Sequence, residues 1–275
     1  MRLAHVSDLH LLTADSVSTK QGADAYGVAA AIAADLTRIA ESLDLVVVSG
    51  DLTDRGEPAA FAMFEDLFSD IGLPVIVVPG NHDGPAAMHA YGGSSQRLAD
   101  WNITNRVVEF GGTRFVGLDT CIEATTEGAL SDEGLALLEE EVAREIGGRL
   151  VVVMHHPPLV LGLEQFDGFC RLEQRDRFLD ILAAYPGQVI VLSGHVHRPY
   201  SAQEGNITCF VAGCMASPYD SELPFGNLPI RPTTLQDFYS IHDIGSQGRH
   251  VVTVQRVRGL LELVQGVPSD TTVTA

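Results

Sequence analysis

The chain has 275 residues, 45% of them hydrophobic and 19% charged, with a formal net charge of −19. These values suit a folded chain with a sizeable core and exclude a disordered or fibrous one. A surface this acidic repels phosphate backbones and argues against nucleic acid as a stable partner, although a bound cation would still admit a small phosphorylated ligand. Four cysteines (Cys121, Cys170, Cys209 and Cys214) form no CxxC pair, so they read as small buried thiols in a reducing compartment rather than as a zinc site. The start "MRLAHVSDLH" lacks a charged segment followed by an apolar one, and no apolar run approaches the ~20 residues of a membrane span. A cytoplasmic protein without membrane contact is expected; whether it forms a homo-oligomer is left open.

In chain order, the apolar run "LAHVS" (3–7) is followed by an Ala-rich helical stretch over 25–42. A second run, "DLVVVS" (44–49), precedes a helix over 58–72 that opens at Pro58 and closes at Gly72. "LPVIVVP" (73–79) and "RFVGLD" (114–119) come next, then a helix over 131–148 with Ser131 as its N-cap candidate. "RLVVVM" (149–154), a helix over 174–187 and "QVIVLS" (188–193) complete the alternation. The runs are β-branched and continuous, the pattern of strands buried on both faces, and their alternation with helices predicts an α/β sandwich. Beyond residue 200 the strand candidates 206–213, 238–245 and 249–257 follow without long helices, and suggest a second, more antiparallel sheet. The expected organisation is a single domain over 1–266, with substrate loops or a small cap from 159–173 and 215–234, and a flexible tail over 267–275.

Each of five apolar runs ends in metal-binding side-chain types. "VSDLH" supplies Asp8 and His10, "VVVSGDLTD" supplies Asp51, and "VVPGNHD" supplies Asn81 and His82. "VVMHHPP" supplies His155 and His156, and "SGHVHRP" supplies His195 and His197. Ligands bind at the carboxyl ends of strands in open α/β sheets, so all five clusters can converge. Asp-x-His and His-x-His on extended backbone would put both side chains of each pair on one side. Gly50, Gly80 and Gly194 precede ligands and would leave room for close turns. Asp, Asn and His without thiolate suit Mn, Fe, Co or Zn. Seven candidates (Asp8, His10, Asp51, Asn81, His155, His195 and His197) exceed one ion's needs and fit two divalent ions sharing a carboxylate, the arrangement of in-line phosphoryl displacement.

The ordered pattern D-x-H, G-D, G-N-H-D, H, G-H-x-H from Asp8 to His197 resembles the calcineurin-like metallophosphoesterases, over roughly the first 200 residues. Within them "HVSDLH", "GNHD" and "MHHPP" resemble the bacterial class III cyclic nucleotide phosphodiesterases and the related glycerophosphodiesterases. The resemblance implies a four-layer αββα sandwich of two mixed sheets flanked by helices. It implies one metal held by Asp8, His10 and His197, a second held by Asn81, His155 and His195, and Asp51 bridging. His82 would act on the transferring phosphoryl group instead of ligating, and His82, Asn81 and His156 are the candidate substrate contacts. Asp54 stands where some relatives carry a ferric-iron-binding tyrosine, which argues against a purple Fe(III) centre.

Taken singly, His5, His89, His242 and His250 read as structural or surface residues, with His5 able to support the site from behind, and Asp83 reads as a turn cap or a support for His82. The activity expected is hydrolysis of a small phosphodiester of cyclic nucleotide or glycerophosphodiester type. The alternatives are a phosphomonoesterase, disfavoured because Arg198 alone among arginines touches the motifs, and, further off, a nuclease or a non-catalytic binding module. Substrate specificity would lie in loops 12–24, 159–173 and 215–234, where Phe166, Phe169, Tyr219 and Phe225 could stack on a base or simply pack.

Overall fold

The β-branched runs form strands because each can bury both faces, one against helices and the other against a second sheet. The computed structural model describes residues 1–13, 24–144, 149–160, 162, 167–168, 171–215, 219–220, 231–232, 236–245, 248–258 and 260. Strand β1 (Arg2–Val6) is followed by helix α1 (Ala25–Ile39), which Asp24 caps by accepting from the Tyr26 amide. Then come β2 (Leu45–Val48), α2 (Pro58–Ser69) and β3 (Val75–Val77). Helices α3 (Pro85–Gly92) and α4 (Gln96–Trp101) lead into the hairpin of β4 (Arg106–Phe110) and β5 (Thr113–Gly117). Next are β6 (Gly128–Ala129), α5 (Asp132–Ala143) and β7 (Arg149–Val153), with Ser131 Oγ accepting from the Gly134 amide as the predicted cap. The short β8 (Leu172–Glu173) pairs with β6, and α6 (Arg175–Ala183) precedes β9 (Gln188–Ser193). The chain continues through β10 (Tyr200–Glu204), β11 (Ile207–Val211), a small ribbon of β12 (Tyr219–Asp220) and β13 (Arg231–Pro232), then β14 (Phe238–Ile244) and β15 (His250–Arg256).

Among the described residues one sheet runs β15-β14-β1-β2-β3 and the other β10-β11-β9-β7-β5-β4. Both are mixed: β1, β2 and β3 are mutually parallel, as are β5, β7, β9 and β11, and the remaining strands run antiparallel at the edges. Three apolar layers separate the elements. Leu3, Val47, Ile76, Phe115, Val151 and Ile190 fill the space between the sheets. Val46, Val48 and Val77 pack under α1 and α2 on one outer face, and Val116, Val152 and Val191 pack under α5 and α6 on the other. The result is a four-layer αββα sandwich. Each fully buried Val or Leu in these layers contributes about 1.5–3 kcal/mol, which outweighs the modest helix propensity of the short helices.

Apart from the two-residue ribbon of β12 and β13, the described strands beyond residue 200 do not build a separate antiparallel sheet. β10 and β11 extend one sheet, while β14 and β15 extend the other. Burial explains the division. β1 is buried along four of its five residues and would leave a row of unpaired amides inside the protein without β14. β11 buries Ile207, Cys209 and Val211 on the same outer face as Val189 and Val191. The tail 267–275 and most of the loop 215–234 lie outside the described residues.

Candidate metal centre

The five motif segments leave the carboxyl ends of β1, β2 and β3 in one sheet and of β7 and β9 in the other, so the site straddles the seam between sheets. Strand-like pairing continues past the strand ends: the Asp8 amide donates to the Gly50 carbonyl and the His10 amide to the Asp51 carbonyl, both at 3.0 Å. The His195 amide donates to both carboxylate oxygens of Asp8, at 3.0 and 3.1 Å, and ties the two sheets together. The backbone here is not extended, as alternation along Asp-x-His and His-x-His had suggested. Asp8, His10, Asp51, His195 and His197 all have positive φ, from 48° to 75°. Left-handed residues turn the chain so that neighbouring ligands aim inward from a tight loop, a strained arrangement that surrounding hydrogen bonds must hold. Close approach also explains two glycines. A Cβ at Gly80 would overlap the Asp51 carboxylate, and one at Gly194 would overlap Ser7 Oγ and Asp8 Oδ2.

The seven candidate ligands come together as two groups. Asp8, His10, Asp51 and His197, all buried, offer ligand atoms within 4.8 Å of one another. His10 Nε2 lies 2.9 Å from His197 Nε2, and Asp8 Oδ1 lies 3.5 Å from His197 Nε2. In the second group Asn81 Oδ1 is 3.2 Å from His155 Nε2 and 3.1 Å from His195 Nδ1. Asp51 Oδ2 belongs to both, 3.5 Å from His10 Nε2 and 3.4 Å from His155 Nε2. His195 and His197 therefore contribute to different groups, and through different ring nitrogens.

The charges fit cations. Burial, with Asp51 close by, pushes the Asp8 carboxyl up to about 7. Burial would also raise Asp51, but His155, His10 and His82 around it hold it well below the usual carboxylate range. Burial would lower His155, yet Asp51 and Asp8 raise it to about 9. Two buried carboxylates facing lone-pair donors at these separations suit a divalent cation in each group.

Around the ligands stand residues of other kinds. His82 is partly exposed. Its amide donates to Asp51 Oδ1 at 2.8 Å, and its Nδ1 lies 3.0 Å from the Asp54 carbonyl. Asp54 Oδ1 lies 3.2 Å from His10 Nδ1 and 3.5 Å from His82 Nδ1, so one buried carboxyl addresses a candidate ligand and the neighbouring His82. In the sequence Asp54 is marked only by its place three residues after Asp51, where some relatives carry a tyrosine. Arg55 Nε lies 3.9 Å from Asp54 Oδ2, a second arginine at the motifs besides Arg198. Asp83 is fully buried and accepts from the amides of Leu52, Thr53 and Gly80 and from the Thr53 hydroxyl, so it locks the Asp51 loop to the Asn81 loop. His156 is fully buried behind His195, ring centroids 4.3 Å apart, with Nδ1 2.8 Å from Thr120 Oγ1. Burial and the neighbouring His195 and His155 hold His156 well below the usual imidazole range. Its position is that of a prop beneath the ligand layer.

The remaining histidines stand apart. His5 Nε2 lies 2.9 Å from Ser49 Oγ, and the Ser49 carbonyl in turn faces His155 Nδ1 at 2.8 Å, so His5 supports the site through Ser49. His242 and His250 pair between the sheets, and His89 is exposed on α3. Phe166, Phe169 and Phe225, and the side chain of Tyr219, lie outside the described residues.

The sequence profile of the calcineurin-like phosphoesterases matches residues 1–199, which takes in every motif up to His197. The chain belongs to the calcineurin-like phosphoesterase family. Among its relatives is a probable cyclic nucleotide phosphodiesterase of Synechococcus, 30% identical over 227 residues, 82% of this chain and 85% of that protein. Another is a probable glycerophosphodiester phosphodiesterase of Arcobacter nitrofigilis, 31% identical over 155 residues, 56% of this chain and 57% of that one. A dimetal phosphatase from Danio rerio is similar in fold, with a TM-score of 0.67 at 13% identity, covering 93% of this chain and 96% of that one. Among the described residues no helix is long and apolar enough to cross a membrane.

Proposed function

We propose that the protein is a dinuclear metal-dependent phosphodiesterase that hydrolyses small phosphodiesters of cyclic nucleotide or glycerophosphodiester type. The observation that carries this is the pair of ligand groups sharing Asp51, with His82 hydrogen-bonded to the same carboxylate. Asp8, His10 and His197 would hold one divalent ion, Asn81, His155 and His195 the other, and Asp51 both. Two ions so held would supply Lewis acidity toward phosphoryl oxygens and a nucleophilic water near neutral pH.

The chain's own residues do the rest. Asp83 keeps the Asp51 and Asn81 loops in register. Ser49 and Asp54, facing Nδ1 of His155 and His10, hold those rings and leave Nε2 as the atom that would ligate, the usual outer support of a metal-binding imidazole. His82, with Nδ1 at the Asp54 carbonyl, has Nε2 left for the phosphoryl group, where it would take up developing charge or pass a proton to the leaving oxygen. The relatives named as cyclic nucleotide and glycerophosphodiester phosphodiesterases support diesters, and the −19 charge supports a small substrate over nucleic acid. Free thiols at Cys121 and Cys209 accord with a cytoplasmic location.

Steady-state rates after Mn, Co, Zn or Fe reconstitution test the reading. Bis(p-nitrophenyl) phosphate should exceed p-nitrophenyl phosphate in kcat/KM by at least about tenfold, equivalent to ~1.4 kcal/mol. Panels of cyclic nucleotides and glycerophosphodiesters then divide the two substrate types. A preference for the monoester would overturn the diester assignment.

A further inference from the structure

We propose that the cleft between helices α3 and α4 and the loops that follow β3 and β5 holds the base of a cyclic nucleotide substrate, and that Asp119 selects a base carrying an amino group. The proposal rests on the phosphodiesterase reading of the metal centre and narrows it. The cleft has a volume of about 540 Å³ and contains none of the seven candidate ligands. That volume falls within the roughly 300–1,000 Å³ of small-molecule sites and is far more than a glycerol group fills. It opens at the carboxyl ends of β3 and β5, the same edge of the sandwich as the metal centre. Pro79 lines it, and Asn81, two residues on, is a candidate ligand, so at most ~7 Å of chain separates the wall from a metal position. The Cys121 thiol donates to the Pro79 carbonyl at 3.5 Å and closes the two loops on each other.

The walls are built in advance. The Ile103 amide donates to the Val77 carbonyl at 3.0 Å, and bridges from Asn102 to Val77 and from Thr104 to Gly117 tie the edges of both sheets beneath the cleft. The Glu65 carboxylate accepts from the Tyr91 hydroxyl and the Leu98 amide, both at 2.8 Å, and so fixes α3 and α4. Pro79, Pro85, Met88 and Leu98 give apolar surface for a flat ring. The polar lining offers mostly acceptors. Asp119 Oδ1 accepts from the Cys121 amide at 2.8 Å, which leaves lone pairs on both carboxylate oxygens. Thr104 gives its hydroxyl hydrogen to Asn102 Oδ1, which leaves the Thr104 oxygen to accept and Asn102 Nδ2 to donate. Arg106 Nη2 is spent on the Ala99 carbonyl at 3.0 Å. An aminated base presents N–H donors beside a ring-nitrogen acceptor, the complementary pattern, and carboxylates accept from such exocyclic amines. Burial pushes the Asp119 carboxyl above its usual range, so an N–H donor would restore solvation it has lost. None of these residues belongs to the loops expected from the sequence to set specificity.

Steady-state kinetics on the full chain after Zn or Mn loading test the proposal. The wild type should favour adenosine 3′,5′-cyclic phosphate over its purine analogue, in which hydrogen replaces the amino group. The expected margin in kcat/KM is about 10- to 100-fold, the span of a hydrogen bond to a charged acceptor. Asp119→Asn keeps an oxygen for the Cys121 amide but puts an N–H donor where the carboxylate accepted. It should lose most of that preference, through KM more than kcat. A wild type indifferent to the amino group, or a preference that survives in Asp119→Asn, overturns the proposal. Should Asp119→Asn fail to fold, methyl NMR of the Zn-loaded wild type decides. The Met88 methyl signal, assigned with Met88→Leu, should shift when a hydrolysis-resistant phosphorothioate of the adenosine compound binds; a bound analogue that leaves it unmoved overturns the proposal. Bis(p-nitrophenyl) phosphate has no base and reads the reaction separately. Nucleotide bound beside Met88 without hydrolysis of either ester would sink the proposed activity and keep the cleft. Hydrolysis of both esters without discrimination between bases would do the reverse.

Discussion

Two histidine clusters lie within this sandwich, and only one has the makings of a catalytic site. At the carboxyl ends of the strands, His10, His155, His195 and His197 surround two buried carboxylates, and ring nitrogens approach oxygen or nitrogen donors at 2.9–3.5 Å. Between the sheets, His5, His242 and His250 gather near Phe210, with ring centroids 5.0–5.7 Å apart. Burial holds His5 down to about 3 and His242 well below the usual imidazole range. In the first cluster Asp51 raises His155 to about 9 despite complete burial. The same side chain, buried to the same degree, is pushed in opposite directions according to whether carboxylates stand beside it. Histidines make a cation site when acidic groups and convergent nitrogens accompany them; buried alone they are polar packing.

Four measurements can break or sharpen that contrast, beginning with the largest effect. Asp51→Ala removes the carboxylate common to both groups. It should leave less than two ions per chain and lower kcat/KM by roughly 10⁴-fold or more, as expected when one member of a catalytic unit is lost. Elemental analysis of His242→Phe, by contrast, should show wild-type metal content. Equal metal loss in both variants would end the distinction between the clusters.

His82→Ala should retain both ions and lower kcat about 10²- to 10⁴-fold. Metal lost in step with activity would make His82 a ligand or its support. Asp54→Asn weakens the hold on His10 Nδ1, so affinity at the first position should fall about 10- to 100-fold while the second is spared. Metal titration that showed both positions weakened alike would place Asp54 in general loop stability.

The smallest effect concerns acid. Between pH 6.5 and about 3 the unfolded chain carries a proton on His5 that the folded chain lacks. His250, held down to about 4 chiefly by burial and Arg149, and His242 add to the same trend. More protons bound in the unfolded state means that stability declines as pH falls below 6.5, by up to ~1.4 kcal/mol per pH unit for each such histidine. Urea midpoints at pH 7 and pH 5 should therefore drop less in His242→Phe than in the wild type. An identical drop would show that the inner cluster does not titrate on unfolding.

Much of the site was legible before any fold was known. Asp8, His10, Asp51, Asn81, His155, His195 and His197 announce themselves because each follows a β-branched run, and the chemistry of their donors is local. Helices α3 and α4 and strand β4 were not anticipated. Their residues are short and weakly periodic, and α4 is held by the Glu65 carboxylate, which accepts from the Leu98 amide across 33 residues. The partners of Asp54, Asp83 and His156 are not readable in the sequence for a related reason. A carboxyl beside a ligand and a carboxyl capping a turn look alike in one dimension, and which imidazole, carbonyl or amide each one meets depends on segments far away in the chain.

By itself the sequence determined the alternation of strands and helices, the order of the ligand motifs, and a donor set suited to two borderline cations, since these depend on residue type and short-range periodicity. Tertiary structure alone decided that the late strands divide between the two sheets, because unpaired buried amides on β1 demand β14 while the apolar face of β11 belongs over β9. It decided that the ligand pairs sit on left-handed rather than extended backbone, because inward aim from a tight loop requires it. It also carried Cys214 to within 4.8 Å of ring nitrogens of His10 and His197, since contacts between side chains are set by which strands become neighbours and not by their distance along the chain.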